Sequence, residues 1–253
     1  KVEVQYGTIA ARIWLPDVVE GLWPAFWTLG NTLADGMPWP DCGEMSIMET
    51  GQGRALAQGL GNRRVVSGAH WEREGAYVTY AGDHDFQVDL NGSYSVFKLD
   101  WTPYNITTYV NDTEVWKMDI DSTSCTDCEE FHRPHFLVFN VAVGGGFTSG
   151  STSSSSAAES SSAGCDFSSA FGVGSSSSGG CGQQRARDDI LAPLPAAMIV
   201  DWVRIYDNGH TTLTLFPPPP QAASYYAPTA PTRTDVILPT PVFVPSPTTP
   251  SPV

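Results

Sequence analysis

From residue 2 to about residue 146, apolar side chains come in short stretches broken by Gly, Asn, Asp and Pro, and few runs repeat at the 3.6-residue period of a helix. This texture predicts strands at 7–15, 21–29, 43–49, 76–80, 94–101, 105–110, 114–120 and 135–143. Val2, Val4 and Tyr6 already alternate with polar residues, so the chain is expected to open inside or just before a strand. Strands at this spacing predict an all-β jelly-roll or sandwich of antiparallel sheets, not a parallel sheet with crossover helices.

The pattern then collapses. Residues 148–182 are mostly Ser, Gly and Ala, which bury too little apolar surface to offset the entropy of ordering a chain, so this stretch is read as a disordered insertion. Alternation returns at 197–206, where Met198, Val200, Trp202, Arg204 and Tyr206 interleave with Ile199, Asp201, Val203 and Ile205, a strand expected to pair back into the earlier sheets. After Phe216 the chain holds 12 of its 20 Pro with Ser and Thr between them, which reads as an extended linker or O-glycosylated stalk. The expected organisation is one folded domain over 1–212, interrupted at 148–182, and a tail over 213–253.

Charge and cysteine narrow the class. With 13 Lys+Arg against 27 Asp+Glu the net charge is -14, a field that repels phosphate backbones and anionic headgroups and argues against nucleic-acid or membrane partners. Neutral sugars feel no such field, and 8 Trp suit a surface that stacks on them. No apolar run approaches the roughly 20 residues that span a bilayer. The five Cys are an odd number, and Cys125-Thr-Asp-Cys128 has no second pair at metal-ligand spacing, so it reads as a surface loop with room for a bridge. Sequons at Asn91, Asn105 and Asn111 fit a secretory route and an extracellular or cell-wall location.

The candidate chemistry sits in Trp39-Pro-Asp-Cys-Gly-Glu44-Met-Ser46-Ile-Met-Glu49. Five residues apart on a helix, the two carboxyls would not face each other. On a regular strand Glu44 and Ser46 share a face with Met48, and Glu49 falls on the other, which would push a charge into the core. One β-bulge near Ile47 and Met48 removes the conflict by returning Glu49 to the side of Glu44 and Ser46. The pair would then stand about 5–5.5 Å apart, the separation of a retaining glycosidase. The plain alternative is a polar strand face with two solvated glutamates.

Four segments, in order, carry a resemblance: Gly21-Leu-Trp-Pro-Ala-Phe-Trp27, Gly43-Glu-Met-Ser-Ile-Met-Glu49, Phe139-Asn-Val-Ala-Val-Gly-Gly145 and Val200-Asp-Trp-Val-Arg-Ile-Tyr206. Over about 1–149 and 183–212 the chain resembles glycoside hydrolase family 16, especially the fungal laminarinase-like endo-β-1,3(4)-glucanases. The resemblance implies a jelly roll of two curved sheets with a sugar cleft on the concave face and retaining hydrolysis of β-glucan. It also implies strands ahead of Lys1 that pair with the last ones, so the chain alone is expected to be less stable. The family pattern Glu-x-Asp-x-x-Glu puts the nucleophile on Glu44 and the acid/base on Glu49; its longer, bulged spacing is typical of laminarinases and agarases.

The departures matter as much. The middle Asp of the pattern is Ser46, whose hydroxyl can donate to Glu44 but brings no charge, so slower hydrolysis is expected. Where relatives carry a sugar-contacting Glu two residues before an Arg, this chain has Ala10 before Arg12. Arg12 and Asn140 match sugar-contacting positions, Trp27 is placed to floor a subsite, and Trp39 and His70 are cleft candidates. Asp201 resembles a structural calcium position in some relatives, a weak lead, and no cofactor is called for. The reading is a monomeric β-glucan hydrolase; a glucan-binding protein that lost turnover at Ser46, or a transglycosylase, are its rivals.

Overall fold

Period-two alternation sends Ile9, Ala11 and Ile13 into the core and Thr8, Ala10 and Arg12 to the other side of their strand, and the same logic organises the rest of the chain. The computed structural model describes residues 2–19, 21–148 and 194–216. The Ser-rich stretch from 149 onward and the tail from 217 lie outside the described residues. The strands are β1 (Val2–Gln5), β2 (Gly7–Trp14), β3 (Leu22–Gly30), β4 (Glu44–Glu49), β5 (Arg64–Arg73) and β6 (Ala76–Asp85). They continue with β7 (Tyr94–Trp101), β8 (Asn105–Val110), β9 (Thr113–Asp119), β10 (His135–Val143), β11 (Ile199–Tyr206) and β12 (Thr212–Leu215).

Seven strands form one sheet in the order β12-β1-β10-β3-β4-β5-β6 and five form the other in the order β11-β2-β7-β8-β9. Every ladder is antiparallel. The core lies between the sheets, where Ile9, Ile13, Phe97, Leu99 and Trp101 of the smaller sheet meet Phe26, Met45, Ile47, Met48, Val65 and Trp71 of the larger. Burying a side chain of this size is worth about 1.5–3 kcal/mol, so this inner layer holds the fold together. The strand expected at 197–206 pairs with β2, as anticipated. Two strands were not anticipated: β5, which becomes the neighbour of β4, and the short edge strand β12. Among the described residues no helix is long and apolar enough to cross a membrane.

The bulge in β4 is present and decides the geometry of the larger sheet. Along β3, Phe26 pairs with Met48 and Trp27 with Ser46, leaving Ile47 unmatched; along β5, the register slips between Ser46 and Glu49. Ile47 and Met48 both enter the inter-sheet core, fully buried. Buried Ser67 donates its hydroxyl to the Ile47 carbonyl at 2.8 Å, covering a backbone oxygen at the irregularity. Gly43, which leads into β4, has φ +78, and a Cβ there would meet the Glu130 side chain at 2.5 Å, so only glycine suits the turn that launches the strand.

Candidate active site

Because of the bulge, Glu44, Ser46 and Glu49 all face outward from the larger sheet. Their cross-strand partners on β3 are Leu29, Trp27 and Ala25, which share one face, and on β5 they are His70, Gly68 and Val66. One strand further, Asn140 of β10 pairs with Ala25, so Asn140, Ala25, Glu49 and Val66 lie in one row across the sheet. Glu44, Ser46, Glu49, Trp27, His70 and Asn140 are thus brought to one face, with Trp39 reaching it from the loop before β4.

Each carboxylate is held by an indole. Trp39 Nε1 donates to Glu44 Oε2 at 2.8 Å, and Trp23 Nε1 donates to Glu49 Oε1 at 3.0 Å. Ser46 Oγ donates to Glu44 Oε1 at 3.0 Å and also interacts with Glu49. His70 Nε2 faces Glu44 Oε1 at 4.0 Å, and its Nδ1 lies 2.6 Å from the Tyr77 hydroxyl. Trp23 in turn stacks on Phe147 with ring centroids 4.7 Å apart. The two Trp donors to the carboxylates were not legible in sequence spacing: one arrives from a loop, the other across a ladder. Tyr77 was not singled out either, because only the β5–β6 pairing brings it to His70.

Little solvent reaches these acids: Glu49 is 9% exposed and the Glu44 side chain 16%. Burial penalises the charged form and pushes both carboxyls up to about 7. The hydrogen bonds from Ser46 and Trp39 oppose this at Glu44. At Glu49 the charge of Glu44 adds to the rise, while the hydrogen bonds from Ser46 and Trp23, and His70 when it is protonated, oppose it. A pair in this situation keeps one shared proton over a wide pH range, because the second ionisation works against the first. The arrangement can therefore hold one carboxyl ionised beside the other protonated.

Two expectations about side chains need correction. Arg12 is not at this face: with Ile9, Ala11 and Ile13 directed inward, Arg12 points out from the five-stranded sheet, the opposite layer of the sandwich. There it pairs with Asp201 at 2.6 Å and lies 4.1 Å from the Tyr94 ring centroid. Asp201, the calcium lead, is the partner in that ion pair. Trp27 is on the right face but only 6% exposed, packed among Ala25, Leu29 and Cys42 and donating Nε1 to Asn140 Oδ1 at 2.6 Å, so its ring is not an open platform. Cys125 and Cys128 are bonded to each other in the loop before β10, and Cys42 is a buried free thiol.

The comparisons with known proteins agree with this fold. A curated relative, a glucan endo-1,3-beta-glucosidase of Cryptopygus antarcticus, is 32% identical over 134 residues, 51% of this chain and 47% of the relative. A beta-1,3-glucan-binding protein of Penaeus monodon is 29% identical over 161 residues, 56% of this chain and 43% of that protein. A family 16 endo-glucanase from Bacteroides ovatus aligns structurally with a TM-score of 0.52 at 32% identity, covering 58% of this chain and 59% of that one. The chain thus spans half or less of the length of these two curated relatives. The sequence model described as Glycosyl hydrolases family 16 matches residues 1–163 of the 253, and with the two-sheet antiparallel fold in place the chain belongs to that family.

Proposed function

We propose that this chain is the catalytic region of a laminarinase-like endo-acting hydrolase of β-1,3- or mixed β-1,3-1,4-glucan, working with retention, with Glu44 as nucleophile and Glu49 as acid/base. The observation that carries the reading is the bulged β4, which sets two largely buried, indole-held carboxyls on one face in a family 16 chain. Relatives named as glucan endo-1,3-beta-glucosidases support the substrate class; they are animal and bacterial, not fungal.

The chemistry follows from the proton balance. Glu49 gives its proton to the glycosidic oxygen as the bond from that oxygen to C1 breaks, and a Glu44 oxygen bonds to C1. Water then attacks C1, giving a proton back to Glu49, and Glu44 leaves as carboxylate. Trp39 and Ser46 favour the charged form of Glu44, as the nucleophile role needs, and the mutual repulsion of the two carboxylates keeps one proton on the pair, which the family pattern places on Glu49. Asn140 and Trp39 border the same face and are read as sugar contacts. Three sequons support reading the protein as secreted and glycosylated; a mass loss on endoglycosidase treatment, after passage through a eukaryotic secretory pathway, checks that.

The test is reducing-sugar release from laminarin and barley β-glucan. Parent activity that disappears in Glu44→Gln supports the reading; activity retained in Glu44→Gln defeats it. A second reading, a glucan-binding protein without turnover, is favoured by Ser46 in place of the usual Asp and by the Penaeus monodon relative. Laminarin binding by an inert parent would select it.

A further inference from the structure

Glu44 and three neighbouring side chains close into a ring. Trp39 Nε1 donates to Glu44 Oε2 at 2.8 Å, the Trp39 ring packs on Tyr77 with centroids 5.3 Å apart, and the Tyr77 hydroxyl meets His70 Nδ1 at 2.6 Å. His70 Nε2 closes the ring by facing Glu44 Oε1 at 4.0 Å. The His70 and Tyr77 rings lie nearly parallel, at 9°, so both nitrogens of the imidazole have a fixed direction. The register makes this possible: Glu44 pairs with His70, and Tyr77 with Glu72, the residue two beyond His70 on the same face.

Burial holds the His70 imidazolium below the ordinary histidine range, with the Glu49 charge opposing, so the ring is neutral near neutral pH. A neutral imidazole carries one N–H, and the group bonded to the other nitrogen decides where. If the Tyr77 O–H donates to Nδ1, the hydrogen sits on Nε2 and points at Glu44. If Nδ1–H donates to Tyr77 instead, a bare nitrogen lone pair faces the carboxylate, which is repulsive. The titratable groups facing His70 are Glu44 and Glu49 from β4 and Tyr77 from β6, with Glu72 further along its own face.

We infer that Tyr77 and His70 form a positioning pair: the Tyr77 hydroxyl selects the imidazole form whose Nε2–H is aimed at Glu44, and this favours the ionised form of Glu44. This rests on reading Glu44 as the nucleophile and deepens it: with an uncharged Ser46 in the strand, part of the stabilisation of the Glu44 charge comes from the neighbouring strands β5 and β6. Neither residue need touch substrate for this role.

The experiment is a pH titration of the full chain carrying 13C at the glutamate side-chain carboxyls, with no substrate present. The resonance missing in Glu44→Gln is Glu44. Tyr77→Phe keeps the ring against Trp39 and removes only the hydroxyl, so the fold is retained; because Nε2–H acts on Glu44 as a dipole 4.0 Å away and not as a hydrogen bond, the Glu44 midpoint is expected to rise by about 0.3 pH unit. His70→Ala is expected to raise it at least as far, and His70→Gln to restore part of the difference, because its amide N–H can face Glu44. A midpoint unmoved in Tyr77→Phe and His70→Ala overturns the inference, and so does an equal shift in His70→Gln and His70→Ala, the mark of lost packing alone. Because the readout needs no turnover, an inert parent defeats the hydrolase reading without deciding this one.

Discussion

Ser46→Asp is the perturbation that bears most directly on how this site keeps its proton balance. Ser46 is 1% exposed, its hydroxyl donates to Glu44 Oε1 at 3.0 Å, and its cross-strand partner on β5 is Gly68, which has no side chain to obstruct a larger residue. An introduced carboxylate about 4 Å from Glu44 would meet a repulsion of about 4 kcal/mol at an effective dielectric of 20, equivalent to roughly three pH units. The new carboxyl therefore holds its proton and donates it to Glu44. An acid O–H to a carboxylate is a stronger hydrogen bond than a serine hydroxyl, and a gain of about 1 kcal/mol is a reasonable expectation. That lowers the apparent pKa of Glu44 by nearly one unit, because the bond favours its charged form. In a pH profile of kcat/KM on laminarin, the acidic limb should move down by about 0.5–1 unit, with a several-fold gain in rate below it. An acidic limb that stays in place or moves up would refute the reasoning, since it would mean that Ser46 does not act through the Glu44 charge.

Two further outcomes follow from the same geometry. Trp23→Phe keeps the stack on Phe147 but removes the donor to Glu49, which favours the charged form; the Glu49 proton should then be held to higher pH, moving the alkaline limb up by about one unit. Glu44 and Glu49 are both raised in the folded state, so their contribution to stability is full below their unfolded value near 4.5 and is lost as pH rises toward about 7. Denaturant unfolding should accordingly show stability falling from pH 4.5 to pH 8 by an order of a few kcal/mol, and the Glu44→Gln, Glu49→Gln double variant should flatten that fall; an equal fall in both proteins would contradict the burial argument.

How much of this was legible beforehand depends on what sets each feature. The strands at 94–101, 105–110 and 135–143 coincide with β7, β8 and β10. Alternation marked them well. β5 was missed for a physical reason: Ser67 lies inward, donating to the Ile47 carbonyl, and Gly68 and His70 lie on the site face, so neither face reads as simply apolar or simply polar. The bulge was legible because two carboxyls five apart on one apolar strand leave few other solutions. What the chain order does not reveal is which layer a strand joins, and Arg12 was misplaced for that reason. Trp27 was placed on the correct face, but its burial depends on neighbours from the loop before β4 and from β10, which no local pattern specifies.

The central claim is that Glu44 and Glu49 carry out β-glucan hydrolysis with retention, and the configuration of the first product tests it most directly. Proton NMR during laminarin hydrolysis, read before mutarotation, should show the β-anomer forming first, and Glu44→Gln should give no product. An α-anomer formed first would mean inversion and would contradict the assignment of Glu44 as nucleophile.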